Sequence, residues 1–217
     1  MPFVSRSCLA LAGGLLAVAP IPAAASPLLS EVFYDAVGTD NGLSFVELYG
    51  APGSALDGLK LDGVNGGDGA IGPSLVLSGT IPDDGLFVIA DDLGDGTTSV
   101  PGADLVLNFD FQNGPDSIVL RAGDQVLDAV GYGVFAAGEV FAGEGSPAAD
   151  APAGSSLARR YANLDTGDNA ADFLVLGAPT PGSAALVAVP EPASAGLVTL
   201  GLAAFARGRR RCGPARG

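Results

Sequence analysis

The 217-residue chain has no histidine and no tryptophan, one methionine and two cysteines. Without imidazole there is no His-dependent triad, no His acid–base pair and no His-ligated metal. Cys8 and Cys212 both lie in terminal segments expected to be removed, so the central region has neither disulfide nor thiol chemistry. Thiol nucleophiles and cysteine-ligated zinc are excluded with them. Lys60 is the only lysine, and nothing places a serine beside it for a Ser–Lys pair. Basic residues are scarce overall: ten Lys and Arg stand against 24 Asp and Glu, for a net charge of −14. Six of the ten (Arg6, Arg207, Arg209, Arg210, Arg211 and Arg216) belong to the ends. Between the ends, Lys60, Arg121, Arg159 and Arg160 face all 24 acids, a net charge of −20. Such a surface repels phosphate and leaves no footprint for nucleic acid.

What the chain does contain is turn chemistry. Nineteen of the 24 acids are Asp and only five are Glu, and there are 33 glycines. Aspartate and glycine favour turns, whereas glutamate favours helices. Ten short runs rich in β-formers are separated by this punctuation: 28–36, 45–49, 59–64, 74–77, 86–90, 105–109, 117–121, 126–132, 156–161 and 173–176. Asn41-Gly42 marks a tight turn between the first two. No 11-residue window between the ends keeps a helical period. The expected fold class is all-β, a single β-sandwich spanning residues 26–177. Residues 138–154 read as a long surface loop, and 178–188 as a linker.

The ends carry export signals. Arg6, an apolar run from Leu9 to Ala19 and the small residues Ala23 and Ala25 form a signal peptide over 1–25, with Ser26 or Pro27 beginning the mature chain. At the other end, Val189-Pro190-Glu191-Pro192 breaks the backbone before an uncharged stretch, 193–206. As a helix this stretch would span roughly 21 Å, short of the ~30 Å bilayer core. It crosses only if Arg207, Arg209, Arg210 and Arg211 snorkel and the bilayer thins locally. These arginines act as the membrane stop and place 212–217 as a cytoplasmic tail. Breaker, apolar helix and arginine cluster over 189–211 resemble the PEP-CTERM sorting signal of Gram-negative bacteria. The resemblance implies cleavage by a membrane-embedded exosortase, acting after signal peptidase on a precursor held in the inner membrane.

The central region carries a second resemblance. Leu29-Ser30-Glu31-Val32-Phe33-Tyr34, Phe45-Val46-Glu47-Leu48-Tyr49 and Leu56-Asp57-Gly58-Leu59-Lys60-Leu61 are similar to the opening of the lamin-tail domain. Gly85 to Asp91, Gly114 to Leu120, Asp128 to Gly133, Gly154 to Arg159 and Asp165 to Phe173 continue it. The resemblance implies an immunoglobulin-like β-sandwich that serves as an interaction or structural module, with no reaction attached. The Gly-rich piece 64–74 departs from the pattern and leaves the strand register there open.

Candidate chemistry is therefore confined to carboxylates. Asp91, Asp92 and Asp95, with Gly94 and Gly96, offer an oxygen cluster of the kind Ca²⁺ accepts, though without EF-hand spacing. Turn chemistry, with Asp capping its own backbone, is the competing reading. Asp165, Asp168 and Asp172 form a second cluster, for which a salt bridge to Arg159 or Arg160 competes with a metal. Phe135 and Phe141 either anchor the long loop or form a contact patch. The favoured function is a non-enzymatic exported protein of the cell surface or extracellular matrix. No catalytic residue is assigned and no cofactor other than candidate calcium; the resemblance of the tail to sorting signals implies extracellular polysaccharide or surface proteins as partners. The alternative is a Ca²⁺-dependent glycan-binding module or a carboxylate-based glycan hydrolase, which needs two acids projecting into one cleft.

Overall fold

A computed structural model describes residues 25–188. Most of the expected signal peptide, Val189 to Pro192, the 193–206 run, the expected arginine stop and residues 212–217 lie outside the described residues. The described chain is all-β apart from one short helical turn, and it forms two sheets. Ten strands follow in order: β1 (Leu28–Phe33), β2 (Phe45–Tyr49), β3 (Leu59–Asn65), β4 (Ile71–Val76), β5 (Leu86–Asp91), β6 (Leu105–Leu107), β7 (Asp116–Ala122), β8 (Gln125–Tyr132), β9 (Ser156–Arg159) and β10 (Phe173–Leu176). The helical turn α1 (Asn169–Asp172) precedes β10 and is capped by Asp168, whose side chain accepts from Ala170 N.

The larger sheet has six strands in the order β10-β9-β1-β2-β5-β6, and the smaller has four, β4-β3-β7-β8. All pairings are antiparallel except β5 with β6. Period-2 alternation explains which side chains go inward. In β2, Val46 and Leu48 point one way while Phe45, Glu47 and Tyr49 point the other. Val46 and Leu48 join Leu29, Val32 and Ile89 of the same sheet and Leu61, Ile118, Leu120 and Val130 of the other in one buried cluster. The facing sides of the two sheets therefore share a single core. Phe33, Phe45, Val88, Ala90 and Val100 form a separate buried cluster on the far side of the larger sheet. That face is covered by a loop rather than by a second sheet.

Two segments without regular structure are stitched to this body. The 138–154 loop is bound back by Val140 N to Gly66 O at 2.7 Å and Ala148 N to Gly131 O at 2.8 Å. Tyr34 and Tyr132 stack in the core with centroids 4.4 Å apart. The Tyr34 hydroxyl donates to Asp150 and accepts from Ala151 N, both at 2.8 Å. Phe141 presses on Gly131, where a Cβ would lie 2.3 Å from its ring, so only glycine fits. Phe135 packs edge-on against Phe141 with centroids 5.2 Å apart. The residues 178–188, expected as a spacer, lie across the far face of the larger sheet and are hydrogen-bonded to it.

Candidate functional site

A kink in β1 sets up the polar centre. The register slips between Leu29 and Glu31, a β-bulge that takes the Leu29 amide and carbonyl out of the regular ladder. Buried backbone groups must find partners, and here two charged side chains supply them. Asp128 of β8 accepts from Leu29 N at 2.6 Å, and Arg159 of β9 donates from Nε to Leu29 O at 2.9 Å. Arg159 Nη2 then closes on both Asp128 oxygens at 2.9 and 2.7 Å. Both side chains are fully buried. This unit ties the smaller sheet to the bulge of the larger one.

The remaining arginine donors reach the 164–172 turn. Nη1 donates to Leu164 O and Asp165 at 3.3 Å and to Asp172 at 3.1 Å. Phe173 lies under the guanidinium, 4.6 Å from ring centroid to Cζ. Asp172 also accepts from the Thr166 amide at 2.9 Å and the Thr166 hydroxyl at 2.7 Å. The second acidic cluster thus divides its labour: Asp165 and Asp172 pair with Arg159, while Asp168 caps α1. Arg160 donates instead to Ala171 O at 2.8 Å.

Glu144 completes the centre and was not singled out by sequence. Asn169 Oδ1 accepts from Glu144 N and Gly131 N, both at 2.9 Å, which brings the 138–154 loop over β8. Glu144 Oε2 is buried without a hydrogen-bond partner among the described residues. Burial, with Asp128 and Asp165 adding repulsion, pushes the Glu144 carboxyl up to about 7, against the opposing pull of Arg159. Among the described residues, Asp128, Glu144 and Asp165 form the one set of three acidic ligand atoms within 4.8 Å of each other. They suit a metal poorly. The Arg159 charge already occupies the space between Asp128 and Asp165, and both Asp128 oxygens are further engaged by Leu29 N and Ala129 N. A proton on Glu144 relieves the repulsion without displacing that arginine.

The candidate calcium loop is arranged differently. Asp91, at the end of β5, is buried, and its two oxygens accept from Gly42 N at 2.7 Å and Phe109 N at 2.9 Å. Asp92 Oδ1 accepts from the amides of Gly94, Asp95 and Gly96, between 2.8 and 3.1 Å. Asp95 accepts from the Thr97 amide at 3.0 Å and the Thr97 hydroxyl at 2.6 Å, and these bonds hold its carboxyl below the usual range. All three carboxylates serve turns and loop joints. A polar cleft of about 390 Å³ opens beside Asp91, lined by Thr39, Asp40, Asn41, Asn108 and Asp110.

One further carboxylate pair is buried. Glu31 and Glu47 stand directly opposite each other on β1 and β2, at 2% and 0% exposure, beneath residues 180–182. The expected sorting motif and membrane stop lie outside the described residues, and among those described no helix is long and apolar enough to cross a membrane. No family model, no curated protein and no solved structure matches the chain.

Proposed function

We propose that this chain is a non-enzymatic exported module of the cell surface or extracellular matrix. On this reading the body is an immunoglobulin-like β-sandwich of lamin-tail type, delivered by the N-terminal signal and processed by an exosortase at Val189-Pro190-Glu191-Pro192. The observation that carries it is the use of the buried charges. Each nitrogen of Arg159 is spent on Leu29 O, Leu164 O or the carboxylates of Asp128, Asp165 and Asp172, all of them structural bonds. A polar centre committed to joining sheets supports a role in holding shape rather than turning over a substrate. Acidity and the apolar ends support export, and the likeness of the tail to sorting signals supports association with extracellular polysaccharide.

Intact-mass measurement of the protein from its native host tests this reading. The mature form is expected to begin at Ser26 or Pro27 and to end before the 193–206 run. Replacing Pro190, Glu191 and Pro192 with alanine should leave a membrane-bound precursor with its arginine cluster, and normal processing of that variant overturns the sorting assignment. The polar cleft beside Asp91 favours a second reading, a Ca²⁺-dependent glycan-binding module, because carboxylates and amides are suitable partners for sugar hydroxyls. The two readings part on calcium, which only the second requires.

A further inference from the structure

Like charges placed directly opposite on neighbouring strands repel, and burying a carboxylate is unfavourable unless donors surround it. Glu31 and Glu47 meet both conditions at once. Among the described residues the ion pairs are those of Arg121 with Asp62 and of Arg159 with Asp128, Asp165 and Asp172, so this pair has no cation. Its partners are neutral donors. The Ser156 hydroxyl donates to Glu31 Oε1, and the Ser30 hydroxyl donates to Glu47 Oε1 at 2.7 Å.

The other donors come from one segment. Thr180 N donates to Glu31 Oε1 at 2.9 Å, the Thr180 hydroxyl to Glu31 Oε2 at 2.7 Å, and Gly182 N to Glu47 Oε2 at 2.7 Å. Without that segment the Oε2 atom of each glutamate loses its one donor among the described residues. Burial already pushes Glu47 above the usual carboxylate range, while Ser30 and Gly182 pull it back. Farther along, Ala162 N donates to Ala185 O at 2.8 Å, and the Asn163 side chain both donates to Val187 O and accepts from Val187 N, each at 2.8 Å.

Packing around the segment is loose by comparison. A cleft of about 160 Å³ lies beside Thr180, Ser183 and Ala184. A second, of about 190 Å³, separates Pro179 and Pro181 from Phe33, Phe45 and Val100. Polar keys hold the segment more than close packing does, a combination that permits local opening while the core stays closed.

We propose that residues 178–188 form a latch, keyed by Thr180 and Gly182 into the Glu31–Glu47 pair, which fixes the chain to the body as far as Val187, two residues before Val189. The latch sets how much slack precedes the Pro190-Glu191-Pro192 motif. Its significance for processing rests on the sorting reading above, but the latch itself does not.

Amide hydrogen exchange on the full chain in detergent micelles tests it. The Gly182 and Val187 amides should exchange at least tenfold more slowly than the exposed amide of Gly102, which has no hydrogen-bond partner among the described residues. Thr180→Pro removes both Thr180 donors without touching the sheet. It should speed exchange at Gly182 and Val187 by tenfold or more and admit protease between 178 and 188, while Val46 and Ile118 keep their protection. Glu31→Gln with Glu47→Gln approaches the same state from the sheet side. Unprotected amides in the native chain, or unchanged exchange in Thr180→Pro, overturn the latch. Normal export with an open latch would leave the sorting reading standing, and a closed latch on an unprocessed chain would do the reverse.

Discussion

Replacing Arg159 with methionine removes the cation shared by Asp128, Asp165 and Asp172 while keeping the bulk of the side chain. Asp128 would then be a fully buried carboxylate without its charge partner. Breaking a buried pair in this way costs about 3–5 kcal/mol, read as a lower urea midpoint. Arg159→Lys should recover only part of the loss, because an ammonium cannot reach Leu29 O, Asp128 and Asp172 from three fixed directions. A lysine variant as stable as the parent would show that charge alone holds the centre. Glu144 gives the opposite sign. Its folded carboxyl titrates at about 7, against about 4.3 in an unfolded chain. Between those values the folded state binds more protons, so stability falls as pH rises through the window and levels off above it. Glu144→Gln cannot ionise. It should match the parent near pH 4 and exceed it at pH 8, by on the order of 1 kcal/mol after allowance for solvent on the loop side. Parallel denaturation curves at the two pH values would remove Glu144 as the source.

At the scale of elements, the strands were readable and their partners were not. Each of the ten strands falls on a run of β-formers bounded by Gly, Pro or Asp, because that punctuation is a local property. The Asn41-Gly42 turn is equally local, and Gly42 has φ +71°. The start of β4 escaped because Gly72 and Pro73 lie inside it. On an edge strand a missing amide is tolerated, and β4 is an edge. The run at 105–109 stops at Leu107, since Phe109 N turns away to Asp91. The run at 156–161 stops at Arg159, where Arg160 N bonds to Asp172 O. Sheet order depends on pairings such as Val32 with Leu157, which no local pattern announces. The polar centre is half legible: scarcity of base points the Asp165–Asp172 cluster toward Arg159 or Arg160 without choosing between them, and Asp128 sits in a distant strand and Glu144 in a loop without pattern. Burial of Glu47 has no local signal either. Its alternation puts it on the side away from the core, where solvent is the default, and the 178–188 segment covers it.

The whole molecule is governed by uncompensated charge. Residues 25–188 hold 23 acids and four basic residues, and Arg159 has already committed its charge to buried pairs. The surface carboxylates therefore repel one another over distances that salt can screen, since the Debye length falls from ~10 Å at 0.1 M to ~3 Å at 1 M. Unfolding spreads those charges apart, so screening should favour the folded state. Raising sodium chloride from about 0.05 to 1 M should stabilise the body by on the order of 1 kcal/mol, roughly 2–4 °C in Tm for a chain of this size. The buried Arg159 pairs respond little to salt and should not offset the gain. Calcium chloride at matched ionic strength separates general screening from a specific site. Equal shifts from the two salts leave Asp91, Asp92 and Asp95 as turn residues, and a larger shift with calcium, reversed by EDTA, assigns the ion to that loop. An unchanged midpoint in both would mean that the carboxylates are spaced too widely to repel and that acidity has no part in the stability of the fold.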